Sequence, residues 1–231
     1  MLPVDAFHWL TDGEHWQGAE GIPTLVWQTF TISLVSLSAA AFVAIPSGLW
    51  LGHVRRAGNA VTTVANAARA IPVYGLLVLF VLWIGIADPP ALVRGIGINS
   101  VAVFLVLFIL AIPPILLNSV TGVREVDAEV REAARGMGMT GGAVLRRVET
   151  PIAMPMVFAG IRTSAINVIA TATLAAFVGA GGLGRIIVDG RAVRDFPKVL
   201  AGAFLVALLA VATELFFAVV ERRCVSRGLR R

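Results

Sequence analysis

The sequence predicts an all-α integral membrane protein with five transmembrane helices. Of its 231 residues, 58% are hydrophobic and only 14% are charged, against about 45–50% and about 25% in an ordinary soluble domain. The mean hydropathy is +0.86, and the apolar residues fall in long runs. A domain of this length cannot hide so many apolar residues in one core. The composition excludes a soluble enzyme, a disordered chain and a nucleic-acid-binding domain.

Five apolar runs are long enough to cross about 30 Å of hydrocarbon, which takes roughly 20 residues in a helix. They are predicted at about 25–51, 60–87, 98–117, 155–178 and 199–220. The first has no formal charge, the second is most apolar after residue 71, and the third is almost all Val, Leu, Ile and Phe. Arg162 interrupts the fourth and Glu214 the fifth. No linker divides the chain, so residues 1–231 are interpreted as a single membrane domain.

The basic residues predict the orientation of these spans. With the N-terminus outside, 13 of the 19 Lys and Arg residues fall in the three segments on the inner side, and five fall on the outer side. The positive-inside rule therefore predicts an outer N-terminus and a cytoplasmic C-terminus in a multi-pass protein. The first 23 residues contain four acidic residues and no Lys or Arg, so no cleavable signal peptide is expected.

The longest polar segment, at about 118–150, lies between the third and fourth predicted spans. Strong helix formers predict one helix at Asp127–Arg135 and a second at Ala143–Val148. Four glycines lie between them, at positions 136, 138, 141 and 142. Glycine permits tight turns and close approach of another backbone. The segment is therefore interpreted as a helix-turn-helix on the cytoplasmic membrane face that docks into a groove of another protein.

The residues of this segment resemble a known motif. Glu132, Ala133 and Ala134, followed by Gly138, Val148 and Pro151, resemble the EAA loop of permease subunits of bacterial ABC importers, the element that seats on the ATPase. Five spans with the loop between the third and fourth resemble the type I importer permease core. Thr150 departs from the Leu that many members of this family carry. The resemblance assigns the loop at about 118–150 to ATPase coupling.

Further stretches resemble the permeases of glycine betaine, carnitine, choline and proline betaine uptake systems. These stretches are Glu132–Thr140, Val148–Pro151, Ala159–Arg162 and Phe177–Gly184. The resemblance implies a bacterial cell-membrane subunit that works with a cytoplasmic ATPase dimer, an extracytoplasmic substrate-binding protein and a second permease, identical or paralogous. It implies that ATP is used by the partner and that this chain binds no cofactor.

Charged and polar residues inside the spans suggest two further features. Arg162 and Glu214 are the formal charges within the apolar runs when the second run is counted from residue 71, and a mutual ion pair is the favoured interpretation, because charge in a bilayer is rare and paired. A quaternary ammonium substrate is best held by aromatic faces and carboxylates. The candidate translocation residues are Asn167, Thr171, Tyr74, Trp83 and Phe177, although each also fits a packing role.

Other functions find less support in the sequence. Gly179, Gly181 and Gly184 spell G-x-G-x-x-G, but a dinucleotide site needs a strand before and a helix after the motif, so a turn at the outer end of the fourth span is expected instead. No Walker motif, metal-ligand spacing or catalytic cluster is present, so a catalytic role is not expected. The alternatives are a permease of another type I importer, of the amino acid or methionine class, and less favourably a secondary transporter or channel without an ATPase.

Overall fold

The computed structural model describes residues 2–55, 63, 67, 70–84 and 101–224, and the regular elements among them are all helical. The helices are α1 (Leu2–Thr11), α2 (Ile22–Val54), α3 (Val73–Ile84), α4 (Val101–Arg124), α5 (Ala128–Gly136), α6 (Gly141–Val144), α7 (Thr150–Ala172), α8 (Gly184–Ala192) and α9 (Phe196–Cys224). Two 3-10 turns, at Gly13–Trp16 and Thr173–Val178, and a π-helical turn at Leu145–Glu149 complete the described elements.

Four of the described helical stretches are long and apolar enough to cross a bilayer. They are Ile22–Val54, Val101–Arg124, Gly141–Val178 and Phe196–Arg223. The shorter α3 contains 12 residues and falls within the second predicted span at 60–87, much of which lies outside the described residues. Residues 98–100, at the start of the third predicted span, also lie outside them.

The helices extend beyond the predicted apolar runs. The third was predicted to end at 117 and continues to Arg124, and the fifth, predicted at 199–220, occupies Phe196–Cys224. The fourth was predicted to start at 155, but the helical stretch there already begins at Gly141. The apolar runs end at polar or charged residues, whereas backbone hydrogen bonding continues a helix through such residues.

The described chain divides into two compact units. The first takes in described residues between 1 and 36, 72 and 108, and 165 and 213. Its apolar core consists of Ile22, Leu25, Leu183, Ile186 and Leu205, on which Trp9 and Leu10 of α1 also pack. The N-terminal helix α1, which the sequence analysis did not predict, is thus attached to this core through its aromatic and aliphatic side chains.

The second unit takes in described residues between 37 and 71, 109 and 164, and 214 and 231. Glycines bring its helix backbones into close contact. A Cβ atom added at Gly52 of α2 would lie 2.8 Å from Val123 Cβ and 3.0 Å from the Val120 carbonyl oxygen of α4. A Cβ at Gly48, one turn earlier, would lie 2.6 Å from Ser119 Cβ. Small residues four apart allow this approach between transmembrane helices.

Helix α7 packs on α4 in the same way. A Cβ at Gly122 of α4 would lie 2.8 Å from Met156 Cβ, and a Cβ at Gly160 of α7 would lie 3.0 Å from the Pro114 carbonyl oxygen. The hydroxyl of Ser164 donates to the Ala111 carbonyl at 2.7 Å. Glycine contacts and a buried hydrogen bond therefore hold α2, α4 and α7 together in this unit.

We expect Gly52→Ala to lower the thermal unfolding midpoint of the protein in detergent, because the added methyl group overlaps Val123 and forces α2 away from α4. Overpacking of this kind costs about 1–3 kcal/mol. Gly75→Ala in α3 is the matched control, since its Cβ would meet only Pro72 Cβ at 3.8 Å and alanine is the better helix former. Equal shifts of the two midpoints would contradict the close α2–α4 contact.

Candidate functional site

The polar loop between α4 and α7 begins with a capped helix. The side chain of Asp127 accepts a hydrogen bond from the Glu129 backbone N–H at 3.0 Å, which satisfies one of the free donors at the start of α5. Within α5, Ala134 is buried, whereas Glu132 and Ala133 are exposed. The Glu-Ala-Ala sequence thus contributes one residue that packs on the protein and two that face outward.

Gly138 ends this helix in a left-handed conformation. Its φ is +81°, its N–H donates to the Arg135 carbonyl at 2.9 Å, and the N–H of Met139 donates to the Ala134 carbonyl at 3.2 Å. Glycine is the usual residue at such a helix end because it has no Cβ to strain. Among the described residues, a Cβ at Gly138 would meet nothing within 4 Å. The glycine is therefore required for the backbone conformation and not for space.

The second half of the loop is continuous with α7. Thr140 Oγ1 accepts from the Ala143 N–H at 3.4 Å and starts α6, and the π-helical turn then leads into α7 without a break at Pro151. The separate helix predicted at Ala143–Val148 is therefore the first part of a continuous helical stretch, Gly141–Val178, which contains α7 and is called the α7 stretch below. The π-helical turn lies just before a proline, whose missing N–H interrupts the regular hydrogen-bond ladder. Val148 is half-buried and Pro151 is exposed.

An apolar stripe runs along the exposed side of α5. Val130, Ala133 and Met137 are three and four residues apart and share one helix face, and Met137 is 77% exposed. Sequence analysis named Ala133 and did not single out Val130 or Met137, although their spacing carried the signal. Exposed apolar side chains next to one another are typical of a protein interaction surface.

Two arginines connect the C-terminal ends of α2 and α4, next to this loop. Arg124 Nη2 donates to the Arg55 carbonyl at 2.9 Å, and Arg55 Nη2 donates to the Arg124 carbonyl at 3.3 Å. Partial desolvation, followed by the positive charge of Arg131, lowers the pKa of Arg55, and the carboxylate of Glu149 opposes this shift. The last turns of α2 and α4 are thus joined reciprocally beside a concentration of positive charge.

The structure brings Arg162 and Glu214, the predicted ion pair, into contact. Arg162 Nε of α7 lies 2.6 Å from Glu214 Oε1 of α9. Arg162 Nη1 also lies 3.4 Å from Glu221 Oε2, a partner that sequence analysis missed because Glu221 follows the apolar run. The second carboxylate oxygen of Glu214 is buried without a hydrogen-bond partner among the described residues.

The candidate translocation residues are distributed over two helices and a turn of the first unit. The rings of Tyr74 and Phe177 meet edge to face, with centroids 6.2 Å apart and planes at 86°. Trp83 at the end of α3 is 86% exposed. Asn167 is exposed and Thr171 is buried, although they are four residues apart on α7. The structure therefore brings together the two aromatic residues near the start of α3 and the end of the α7 stretch.

The glycine-rich segment after the α7 stretch forms a turn on α2. Gly181 and Gly182 have φ values of +82° and +79°. The Gly182 N–H donates to Gln28 Oε1 at 3.0 Å, and the Leu183 N–H donates to Thr29 Oγ1 at 2.8 Å. A Cβ at either glycine would lie 2.8 Å from one of these side-chain oxygens. The segment before the turn is helical, not the strand that a dinucleotide fingerprint requires.

A cavity of about 510 Å³ lies beside this turn in the first unit. Charged side chains of both signs line it, among them Glu14, Glu20, Arg185, Asp189 and Lys198. Arg185 lies 3.6 Å from Glu20 and 3.4 Å from Asp189, so part of this charge is neutralised internally. No group of three or more His, Cys, Asp and Glu residues that is placed to hold a metal ion occurs in the part of the chain that the structure describes.

Comparison with known proteins gives consistent matches over most of the chain. Residues 44–226 match the family model described as binding-protein-dependent transport system inner membrane component. The chain is 35% identical over 198 residues to the glycine betaine/carnitine/choline transport system permease protein OpuCB of Bacillus subtilis, covering 86% of each chain. It is 36% identical over 197 residues to the carnitine transport permease protein OpuCD of Listeria monocytogenes, covering 85% of this chain and 83% of the relative.

A solved structure has the same fold. An inward-facing form of the MetNI methionine ABC transporter matches with a TM-score of 0.73 at 23% identity, over 89% of this chain and 96% of that one. The match covers most of both chains and shows that they share a fold.

A double-mutant cycle tests the Arg162 contacts. We expect Arg162→Gln and Glu214→Gln to show a coupling energy of about 1 kcal/mol or more in unfolding experiments, within the range for residues in direct contact. The same cycle with Glu221→Gln should give a smaller value, because that contact is 3.4 Å long instead of 2.6 Å. Unfolding followed by thermal denaturation in detergent measures both cycles, and a larger coupling for Glu221 would contradict the geometry.

Proposed function

Because the chain belongs to the family of binding-protein-dependent transport system inner membrane components, we propose that it is a permease subunit of an ATP-driven importer for osmoprotectant quaternary amines. It has the type I ABC importer permease fold. The family's membrane subunits work with a cytoplasmic ATPase and a substrate-binding protein. The observation that carries the substrate assignment is the identity of 34–37% to permeases named for choline, carnitine and glycine betaine.

The substrates named for these relatives share one chemical feature. Glycine betaine, carnitine and choline each carry a quaternary trimethylammonium group, which has no proton to donate and is attracted by aromatic faces. We propose that the translocation pathway is lined by Tyr74 and Phe177, whose rings are in contact, and by Asn167, Thr171 and Trp83. The methionine transporter resembles this chain at 23% identity, which supports the shared fold and not a shared substrate.

We assign ATPase coupling to the loop at about 118–150, within which α5 carries the Glu-Ala-Ala sequence. Glu132 and Ala133 are exposed and available to a partner, while Ala134 is buried and fixes the helix on the protein. Coupling requires that the loop makes different contacts in the two states of the transporter. A loop that is capped at Asp127 and turned by Gly138 keeps its shape when the ATPase moves it, so the displacement reaches α7.

The proposed topology has five spans, an outer N-terminus and a cytoplasmic C-terminus. Four described stretches have the required length. At 1.5 Å per residue, the 12 residues of α3 cover about 18 Å, so a second span at 60–87 includes residues on both sides of α3. With this topology the coupling loop, the basic residues at its base and the proposed cytoplasmic ATPase lie on the same side.

Helix α9 supports the proposed pairing with a second permease, identical or paralogous. Large apolar side chains are exposed along its whole length at spacings of three and four residues. They are Leu200, Phe204, Leu208, Val211, Leu215 and Val219. Such a stripe suits contact with lipid and with a second membrane subunit. The assembled importer would then contain two permeases and an ATPase dimer, and ATP would be bound and used by that dimer.

Uptake by reconstituted vesicles tests the substrate class. We expect vesicles that contain this chain, its ATPase and its binding protein to accumulate radiolabelled glycine betaine, carnitine or choline. This uptake should require ATP on the side of the membrane where the ATPase is bound. Methionine in large excess should not compete, because it lacks a trimethylammonium group. Uptake of methionine without uptake of any quaternary amine would instead support the alternative importer class.

The coupling assignment is tested at Gly138. Gly138→Val should reduce ATP-dependent uptake about tenfold or more, because a β-branched residue strains the left-handed backbone and reorients the loop. Gly13→Ala is the control: in the part of the chain that the structure describes, a Cβ there also meets nothing within 4 Å, and its backbone is not left-handed. Uptake and co-purification of the ATPase are measured for both, and normal uptake by Gly138→Val would contradict the proposed role of the loop.

A further inference from the structure

We infer that His53 and Glu149 are positioning residues that make α2 follow the movement of the coupling loop. The inference rests on the proposed function and concerns two side chains that the EAA motif does not include. His53 lies in the last turn of α2, and Glu149 ends the π-helical turn with which the loop joins α7. The pair therefore connects two transmembrane helices at the point where the loop joins one of them.

The contact is direct and buried. His53 Nδ1 lies 2.5 Å from Glu149 Oε2, and the side chain of Glu149 is 1% exposed while that of His53 is 18% exposed. The two residues are 96 positions apart in the chain. A carboxylate is very rarely buried to this degree unless a partner compensates it. Because His53 lies within hydrogen-bond distance of this buried side chain, Glu149 loses that partner when α2 moves away from it.

Gly141, at the other end of the same segment, lies near His53. A Cβ added at Gly141, the first residue of α6, would lie 3.6 Å from His53 Nε2. One ring nitrogen thus faces the start of the stretch 141–149 and the other binds its end. The imidazole therefore binds the end of the stretch 141–149 and lies near its start, beside the last turn of α2.

The last turn of α2 is itself fixed on α4. Gly52 allows the backbones to meet at Val123, and the reciprocal bonds of Arg55 and Arg124 close the helix ends one turn further on. A displacement that enters the stretch 141–149 therefore reaches α2 through His53 and reaches α4 through α2. The His53–Glu149 contact is the first in this series of contacts. Apolar side chains of similar volume can replace these two residues.

That replacement separates a positioning role from a purely structural one. A buried polar pair is often no more stabilising than apolar side chains of similar volume, so His53→Leu with Glu149→Met should fold and keep its thermal stability. An apolar contact, however, lacks a directed hydrogen bond and can slide. We expect this double variant to retain stability and to lose coupling.

The experiment uses the complete importer, with this chain, its ATPase and its binding protein reconstituted in vesicles. The variants are Glu149→Gln, which keeps the acceptor and removes the charge, His53→Gln, and the double variant His53→Leu/Glu149→Met. Asp5→Asn, at an exposed carboxylate in α1, is the matched control. The measured quantities are the substrate taken up per ATP hydrolysed, the unfolding midpoint and co-purification of the ATPase.

The double variant should co-purify with the ATPase and unfold near the wild-type temperature, while its uptake per ATP falls about tenfold, within the range of allosteric couplings. Asp5→Asn should match the wild type, and His53→Gln should fall between the two because its amide can still donate. Wild-type coupling in the double variant would overturn the inference and leave a structural role only. A wild-type chain that neither binds the ATPase nor takes up substrate would instead contradict the proposed function.

Discussion

Close backbone contact between α2, α4 and α7 is the constraint on which the second unit depends. Lipid tails are as apolar as the helix surfaces, so burial of apolar area does not by itself hold transmembrane helices together. Dispersion contacts at short range do, and these need helices without intervening side chains. Gly48 and Gly52 on α2, Gly122 on α4 and Gly160 on α7 provide such surfaces. The Ser164 hydrogen bond to Ala111 can form only at this separation.

The same constraint shapes the region next to the loop. Because α2 and α4 meet at Gly52, their last turns end side by side and the two arginine side chains can each reach the opposite carbonyl. His53, one residue after Gly52, then faces the stretch that leads into α7. The loop projects from this fixed base as a short helix whose two ends are set by a capping aspartate and by a left-handed glycine.

The sequence predicted the class of fold and a polar loop. It did not predict where the helices end or which residues far apart in the chain are in contact. Composition and apolar run length predicted membrane helices because the bilayer imposes one length and one solvent. At α4 and α7 the helices extend beyond the predicted spans, since hydropathy falls before the helix does. The short helix α8 was missed because its sequence contains two glycines and three charges, and its stability comes from packing Ile186 into the core of the first unit.

Site residues were predictable where one rule applied to one stretch. The Glu-Ala-Ala spacing is local, and the pairing of Arg162 with Glu214 follows from the rarity of charge inside a span. His53 and Glu149 obey no local rule, because each looks like an ordinary residue at the edge of a polar segment. Their relation depends on helix packing that brings positions 96 apart into contact, and packing of that kind is set by the glycine surfaces.

Polar groups in the apolar interior fix the register of neighbouring segments. An unpaired polar group costs free energy in a medium without water, so each buried donor favours the single arrangement that pairs it. Thr29 therefore fixes the glycine turn on α2, and Arg162 fixes α7 on α9. An apolar surface would permit sliding at the same contact. A transporter that moves between defined states benefits from contacts that form in one alignment only. Directed hydrogen bonds have that property, whereas dispersion contacts do not.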